Sequence, residues 1–421
     1  MKLMTVFVFA SGVGALLPAT ASAQVDRQSA VRQGAQASNS QQAEVQLRLS
    51  READKPVREL EAAVKANDVA AIPAKLAAAQ AAARTPDDHY AIASLRLEAA
   101  TKAQNEPEVL AAVEAMLATG KVPEARVAAM QMTLAKGYYA LKQYDRAAQT
   151  FEQVLARDPR NVDATLHLAD VRNAQGRPGD SVTLIRRAIA AVEAGGQKAS
   201  PDWYRRALAR GFNARLPVSI EVSRDWVRAY PTTDNWKEAL RLYRNLAPKD
   251  DALLLDVLRL QRAVGALDDA QEYYNHAYLA VAERYPGESK AVLEEGLASG
   301  KISRSERRVQ ELYTEVSGSA TDRARAYLAE GVKDALADPQ ARLALRSGDS
   351  HYGFGDYAKA AEMYRAALGK AGADANLINF RLGMALARAG DHAGATAAFN
   401  AVTGPYSDLA KFWLVHIQTK R

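Results

Sequence analysis

The chain has 421 residues, of which 48% are hydrophobic and 25% are charged, and its formal net charge is +6. This length exceeds what one compact core normally contains, so several domains or an elongated repeat array are expected. The sequence contains no cysteine, which excludes disulfides, thiolate metal sites and thiol nucleophiles.

The N-terminus has the pattern of a bacterial-type signal peptide. Lys2 gives a short basic region, residues 3–17 are uncharged and apolar or small, and residues 21–23 (Ala-Ser-Ala) have the small-x-small form of a cleavage site. The apolar stretch is shorter than the ~20 residues of a spanning helix, which disfavours the alternative of a membrane anchor. We therefore predict a signal peptide over residues 1–23 and a periplasmic mature protein with no transmembrane segment.

The next segment changes in composition at about residue 50. Residues 24–50 are rich in Gln, Ser, Ala and Asn, which predicts a flexible leader. From residue 51, apolar residues recur three or four positions apart, with Asn, Gly and Pro between the runs. This spacing predicts short antiparallel helix pairs, and we assign residues 51–127 to divergent helical repeats.

A pattern of small and hydrophobic residues in residues 128–195 returns after 34 positions. The matched positions are Leu134, Ala135, Ala147, Phe151 and Val154, followed by Leu168, Ala169, Ser181, Ile185 and Ala188. A repeat of this length indicates stacked helix–turn–helix pairs. Small residues let the two helices approach closely, and the aromatic residues fill the space between successive pairs.

The first copy resembles the tetratricopeptide repeat. That family has Leu-Gly, an aromatic residue three positions on, then Ala, a second aromatic residue and a closing Pro. The corresponding residues here are Leu134, Ala135, Tyr138, Ala147, Phe151 and Pro159. The resemblance implies an all-α, right-handed superhelical solenoid of helix pairs, in which the first helix of each pair lines an inner groove.

Residues 196–340 are predicted to be degenerate helical repeats. Trp203 and Trp236 stand 33 positions apart, each at the start of a candidate helix. Further helices are expected over residues 253–260, 270–282, 290–297 and 304–316. Parts of this region resemble secreted bacterial repeat proteins whose role is generally unassigned.

A second array is predicted over residues 341–421. Gly348, Tyr357, Ala360, Tyr364 and Ala367 are followed 35 positions later by Gly383, His392, Ala395, Phe399 and Val402. Residues 357–368 also closely repeat the sequence of residues 144–155. Residues 408–417 are apolar enough to form a final helix that caps the last pair.

The sequence offers no constellation that favours catalysis. The six histidines are scattered, with no pair at the helical spacing of a metal site, and no phosphate loop or nucleophile elbow is present. Adjacent acids such as Asp87-Asp88 point in different directions on a helix, so they are interpreted as turn or cap residues. We predict no catalytic residue, cofactor or metal.

Binding is therefore expected to depend on surface side chains of the inner helices. In the second array, basic residues and one tyrosine recur at helical spacing on two successive first helices, which predicts a cationic wall for an acidic or carboxylate-bearing segment. The predicted binding residues are Arg342, Arg346, Tyr352, Arg381 and Arg388. The basic region 202–249 is the next candidate.

We therefore predict a non-enzymatic scaffold of the cell envelope that binds a protein or peptide partner in the superhelical groove. One alternative is a periplasmic adaptor in polysaccharide export or outer-membrane biogenesis. Another is a helical-repeat enzyme acting on a glycan, which would need two carboxylates facing each other across the groove. A structural component held by its own oligomerisation is a third. A nucleic-acid partner is not expected for an exported protein, and the oligomeric state is left open.

Overall fold

The computed structural model describes residues 3–6, 45–248 and 250–420. It divides into two compact units, residues 1–197 and residues 198–421. The described part contains 21 α-helices, one 3₁₀ turn and one pair of short strands. The predicted all-α class of stacked helix pairs is confirmed. None of the described helices combines the length and apolarity needed to cross a membrane.

The N-terminal unit consists of a strand pair followed by eight helices. The strands β1 (Leu3–Val6) and β2 (Val45–Arg48) pair antiparallel, with Leu3 opposite Arg48. The helices are α1 (Arg51–Lys65), α2 (Ile72–Ala82), α3 (Pro86–Lys102), α4 (Glu106–Ala118), α5 (Glu124–Ala140), α6 (Tyr144–Arg157), α7 (Val162–Ala174) and α8 (Pro178–Ala194). Consecutive helices pack against each other along the unit.

The predicted flexible leader does not extend as far as residue 50. Leu47 and Leu49 are buried in a core shared with α1 and α3. The Ser50 amide also donates to Asp88 Oδ1 at 2.8 Å. Two leucines in a polar stretch are enough to anchor it, since each removes apolar surface from water. The leader prediction is wrong for the last six residues, 45–50.

The predicted signal peptide is described only at strand β1. Cleavage after Ala23 would remove this strand from the pair and leave β2 in the mature chain. The rest of residues 1–23, with residues 24–44, lies outside the described residues. Export therefore stays a prediction.

The C-terminal unit contains thirteen helices. They are α9 (Pro201–Asn213), α10 (Val218–Ala229), α11 (Thr233–Leu246), α12 (Asp251–Ala263), α13 (Ala270–Ala282), α14 (Pro286–Ala298), α15 (Arg307–Ser317), α16 (Ser319–Ala337), α17 (Ala341–Gly353), α18 (Tyr357–Leu368), α19 (Ala375–Ala389), α20 (His392–Asn400) and α21 (Ser407–Thr419). The 3₁₀ turn, Gly404–Tyr406, precedes α21.

Helix starts follow the expected local chemistry. The Thr85 side chain accepts a hydrogen bond from the Asp88 amide, and Asp88 reciprocates, so α3 begins with a capping box. Asp269 caps α13 by accepting from the Glu272 amide at 2.7 Å. The interpretation of the acid pairs at these positions as cap residues is confirmed.

The recurring small residues of the second array allow close helix contact. A Cβ atom added at Gly348 would lie 2.6 Å from Tyr364 Cε1, and one added at Gly383 would lie 2.6 Å from Phe399 Cε1. Ala360 is fully buried in the same type of contact. Each pair thus seats an aromatic ring of its second helix on a glycine of its first, which explains the repeat spacing.

The last helix closes the C-terminal unit on itself. Helix α21 packs on α19 and α20, as the predicted cap requires, and it also packs on α10 near the start of the same unit. The Phe412 ring lies 5.8 Å from that of Tyr243 and 6.1 Å from that of Trp236. Arg224 Nη1 donates to Asp408 Oδ1 at 2.7 Å. The helix therefore joins two ends of one unit and does more than cover a final pair.

Candidate functional site

The five predicted binding residues do not form one exposed wall. Arg342 and Arg346 are exposed on α17, whereas Arg388 is half-buried on α19. Tyr352 is only 7% exposed and Arg381 only 5%. The prediction of a continuous cationic wall is wrong because α14 packs against α17, and a side chain of α12 covers the Tyr352 ring. An inner helix face that an open array would leave in solvent is partly covered here.

Arg381 belongs to a buried ion pair with Asp349. Arg381 Nη1 donates to Asp349 Oδ2 at 2.5 Å. The hydroxyls of Tyr285 and Tyr364 donate to the two oxygens of the same carboxylate, each at 2.8 Å. Buried ion pairs need such additional hydrogen bonds, because both charges have lost their hydration. Arg381 is therefore a structural cation.

The electrostatics agree with this role. Burial acts to lower the pKa of Arg381, but the carboxylates of Asp349 and Asp256 outweigh burial and raise it. Burial also raises the pKa of Tyr364 well above its ordinary value. The tyrosine therefore stays protonated, and its hydroxyl donates a hydrogen bond to Asp349.

A second buried network joins α12, α13 and α14. Arg259 donates from Nε and Nη2 to the two oxygens of Glu288 at 2.9 Å and 2.6 Å, a bidentate pair, and from Nη1 to Asp256 Oδ1 at 2.7 Å. His276 Nε2 lies 2.9 Å from Glu288 Oε1. All four side chains are buried, at 3% exposure or less. Such a network stabilises only one alignment of the three helices.

Glu288 stays ionised in this setting. Burial acts to raise its pKa, but Arg259 and His276 outweigh burial and hold the pKa well below its usual range. For Asp256, burial is the larger effect, and its pKa is raised even though Arg381 and Arg259 oppose the shift. The two carboxylates of one network are thus driven in opposite directions.

His276 is neutral with one unused acceptor. Burial lowers its pKa against the opposing effect of Glu288, so the imidazolium form is disfavoured. Because the Glu288 carboxylate only accepts, His276 Nε2 carries the proton and Nδ1 carries the lone pair. Nδ1 is buried and has no hydrogen-bond partner among the described residues.

The second network borders a cavity of about 300 Å³ within the C-terminal unit. Side chains of α12, α13, α14, α16, α17 and α19 line it, and Phe354 and Tyr357 complete one wall. Two of the sequence-predicted residues, Tyr352 and Arg388, are among the lining residues. The lining cations are Arg259, Arg262, Lys290, Arg325 and Arg388, and the lining acids are Glu288, Glu294 and Asp322.

The cations of the cavity differ in their partners. Arg259 is paired with Glu288, and Arg262 Nε donates to Glu295 Oε2 at 2.8 Å. Lys290 and Arg388 are half-buried, and neither forms an ion pair with a described residue. The acids Glu294 and Asp322 are exposed to solvent. Arg325, whose guanidinium lies 5.5 Å from the centre of the Phe354 ring, also forms no ion pair with a described residue, but it is exposed to solvent. Positive charge that is both partly buried and without a carboxylate partner is therefore confined to Lys290 and Arg388 among the lining residues.

The aromatic side chains of the cavity hold one of these cations in place. Arg388 Nη2 donates to the Tyr357 hydroxyl at 2.7 Å, and its guanidinium lies 4.8 Å from the centre of that ring. The Tyr352 ring contacts that of Tyr357 edge-on at 5.2 Å. Cation–π contacts orient a guanidinium without neutralising it. Arg388 thus keeps its charge available at the cavity.

Sequence reasoning missed the network of α12, α13 and α14. Asp256 and Arg259 stand three residues apart, which fits an ion pair on one helix, but the same spacing is common on solvated helix faces. His276 has no second histidine at the helical spacing of a metal site, so the sequence gives no reason to single it out. The one additional signal was the high apolar content around Asp256 and Arg259, where six of the residues 253–260 are leucine or valine, which argues for burial of this helix.

The basic region 202–249 is not an open cationic patch. Arg224 pairs with Asp408, and Lys237 pairs with Asp268. Arg241 is bound to Glu238 within the same helix. These acid partners favour an ordinary surface for this region. No group of three acidic or histidine side chains suited to a metal occurs in the ranges that the structure describes.

Both helical arrays match a known family. The tetratricopeptide repeat family matches residues 132–199 and 345–410. The matched segments together cover 68 plus 66, or 134, of the 421 residues. They contain the close glycine and alanine contacts described above, and such repeats are generally protein–protein interaction modules.

Three solved structures are similar to the chain at low sequence identity and low TM-score. The chain is similar to pilF of Pseudomonas aeruginosa, with 13% identity over 59% of this chain and 97% of that chain, at a TM-score of 0.24. It is similar to a tetratricopeptide repeat protein from Parabacteroides merdae, with 11% identity over 80% of this chain and 100% of that chain, at a TM-score of 0.24. It is also similar to a chain in the structure of Naa15 and Naa10 bound to HypK-THB, with 14% identity over 85% of this chain and 65% of that chain, at a TM-score of 0.28. No curated protein matches the chain.

Proposed function

We propose that this chain is a non-enzymatic scaffold of the bacterial cell envelope that binds a protein or peptide partner. The tetratricopeptide repeats carry this proposal, because stacked pairs of this kind present extended recognition surfaces. The signal-peptide pattern of residues 1–23 supports a periplasmic location. N-terminal sequencing of the protein from fractionated cells tests the location, with Gln24 expected as the first residue. An intact Met1 form in the cytoplasm would contradict it.

The partner surface is assigned to the exposed half of α17. Arg342 and Arg346 are one helical turn apart, both exposed, and neither forms an ion pair with a described residue. Exposed cations of this kind attract an acidic segment at long range, and their effect falls as salt increases. Arg381 is not part of this surface, since its charge is used by Asp349. The interaction is therefore expected to be acidic on the partner's side and sensitive to salt.

A charge-reversal experiment tests this assignment. The variant Arg342→Glu with Arg346→Glu is compared with Arg51→Glu with Arg160→Glu, which changes the net charge equally at exposed residues of the N-terminal unit that lack ion pairs with described residues. Proteins captured from envelope extracts by each variant are quantified against wild type at two salt concentrations. We expect the first variant to lose a partner that the second retains. Equal capture by both variants would place the binding surface elsewhere.

The alternative of a glycan-acting enzyme gains no support from the cavity. Its fully buried lining carboxylate, Glu288, is engaged by Arg259 and His276 and has a lowered pKa. A general acid needs a raised pKa so that it is protonated at working pH. Nothing about Glu294 or Asp322, which are exposed, favours that role either.

A further inference from the structure

A histidine that lines the cavity of the C-terminal unit has a buried acceptor without a partner among the described residues. His276 is fully buried, lines the cavity, and its Nδ1 receives no hydrogen bond from any described residue. Buried polar atoms in folded proteins almost always have a partner, because losing water without compensation is unfavourable. The Nε2 proton is held by Glu288, so the histidine cannot turn its donor toward the cavity. A group in the cavity that donates a hydrogen bond to Nδ1 would complete it.

The same cavity contains positive charge that no carboxylate neutralises. Lys290 and Arg388 are half-buried lining residues without an ion pair to a described residue. Withdrawing a cation from water is favourable only when an anion or strong acceptors replace the water. The acids Glu294 and Asp322 also line the cavity, but they are exposed and water screens them. The arrangement fits an anionic ligand.

The two features together restrict the ligand further. Its donor must be close to its anionic group, since both lie within a cavity of about 300 Å³, at the small end of ligand sites. Its donor is also neutral, because an ammonium group would be repelled by the surrounding arginines and lysine. A hydroxyl or an amide N–H meets this condition.

We propose that this cavity binds a small organic carboxylate that carries a neutral hydrogen-bond donor next to the carboxylate. Lys290 and Arg388 bind the carboxylate, and His276 Nδ1 accepts from the donor. Tyr357 positions Arg388 through its hydroxyl and its ring. The site is separate from the exposed Arg342 and Arg346 and does not depend on the proposed protein partner.

Four probes that share the dicarboxylate backbone of succinate test the proposal by calorimetric titration of the mature chain. Succinate lacks a donor, L-malate carries a hydroxyl, N-acetyl-L-aspartate carries an amide N–H, and L-aspartate carries an ammonium group. We expect malate or N-acetylaspartate to bind about tenfold more tightly than succinate, the effect of one buried hydrogen bond. Whichever binds more tightly identifies the donor as a hydroxyl or an amide. No binding of either at 10 mM probe (about the weakest level at which a specific site is meaningful), or equal binding of succinate, overturns the proposal.

Three variants locate the binding. His276→Gln keeps an N–H for Glu288 but removes the Nδ1 acceptor. The affinity of the preferred probe should therefore fall to that of succinate, and the affinity of succinate should not change. Lys290→Gln or Arg388→Gln should weaken every carboxylate probe about tenfold or more. The matched control, Arg342→Gln with Arg346→Gln, removes charge outside the cavity and should leave all affinities unchanged. Circular dichroism checks that each variant is folded.

The outcomes separate this proposal from the proposed protein partner. Loss of partner capture by the Arg342 and Arg346 control with probe binding intact leaves the cavity proposal standing. Unchanged probe binding in both Lys290→Gln and Arg388→Gln overturns it, whatever happens to partner capture. If His276→Gln cannot be obtained folded, the difference between malate or N-acetylaspartate and succinate in the wild-type protein still decides the role of the histidine.

Discussion

Replacing Arg381 with methionine should destabilise the C-terminal unit strongly. Methionine retains much of the side-chain volume, but it leaves the Asp349 carboxylate buried at 2% exposure without its cation. The hydroxyls of Tyr285 and Tyr364 remain as its hydrogen-bond donors. Removing one member of a buried ion pair typically lowers the free energy of unfolding by about 3–5 kcal/mol, and the two tyrosines place the expected loss at the lower end, about 3 kcal/mol.

Tryptophan fluorescence during urea unfolding measures this loss. All four tryptophans lie in the C-terminal unit, so the signal reports on that unit alone. Arg342→Met is the control, because an exposed arginine without an ion pair should change stability by less than about 0.5 kcal/mol. Adding Asp349→Asn to the Arg381 variant removes the stranded charge and should recover part of the loss. A loss below about 1 kcal/mol, or a double variant less stable than the single one, would refute the reasoning.

Three further predictions follow from packing and titration. Gly348→Ala should cost about 1–3 kcal/mol in chemical denaturation, since its Cβ would meet Tyr364 at 2.6 Å, whereas Gly331→Ala, with open space around it, should be neutral or stabilising. Hydrogen exchange should be fastest within the unit at α16, where Tyr327 is 66% exposed, and slower at α12 to α14, and uniform protection would contradict this. Burial lowers the pKa of His416 from 6.5 to about 4, so stability should fall as pH falls through this window, by up to about 1.4 kcal/mol per pH unit. His416→Phe should flatten that dependence in denaturation curves measured from pH 7 to pH 4, and an unchanged slope would assign it to other groups.

Features with a local cause were predictable from the sequence. The helix expected over residues 270–282 is found as α13 with the same bounds, because its apolar spacing and the cap at Asp269 are both local signals. The small residues Ala147 and Ala360 are buried as the 34-residue and 35-residue spacings require. The burial of the two leucines within residues 45–50 was not predicted, because the polar composition of this stretch suggested a flexible leader.

The candidate site depends on pairings that no local signal specifies. Position in the repeat predicted that Arg381 and Tyr352 lie on inner helix faces, but it could not show whether those faces meet water. Tyr352 is covered by Arg259, which stands 93 residues earlier in the chain, and the closing contact between Arg224 and Asp408 spans 184 residues. Long-range pairings of this kind depend on the packing of the whole unit. The exposed Arg342 and Arg346 were predictable because they lie beyond the covered half of α17.

Closure of the C-terminal unit explains why its interior is so polar. The inner helix face of a tetratricopeptide array normally carries polar side chains for a partner, and here α12 and α14 occupy part of that position with Arg259, Asp256 and Glu288. A buried set of this kind adds little net stability, because hydration is lost on both sides. The buried set does disfavour misaligned packing, because any shift of the helices would leave a buried charge without its partner. This internal matching is incomplete, because Asp256 Oδ2, Arg381 Nε and His276 Nδ1 are buried without a hydrogen-bond partner among the described residues, and His276 lines the cavity. The unit therefore pairs most but not all of its buried charged atoms internally, and of these three atoms only the one on His276 belongs to a residue that lines the cavity.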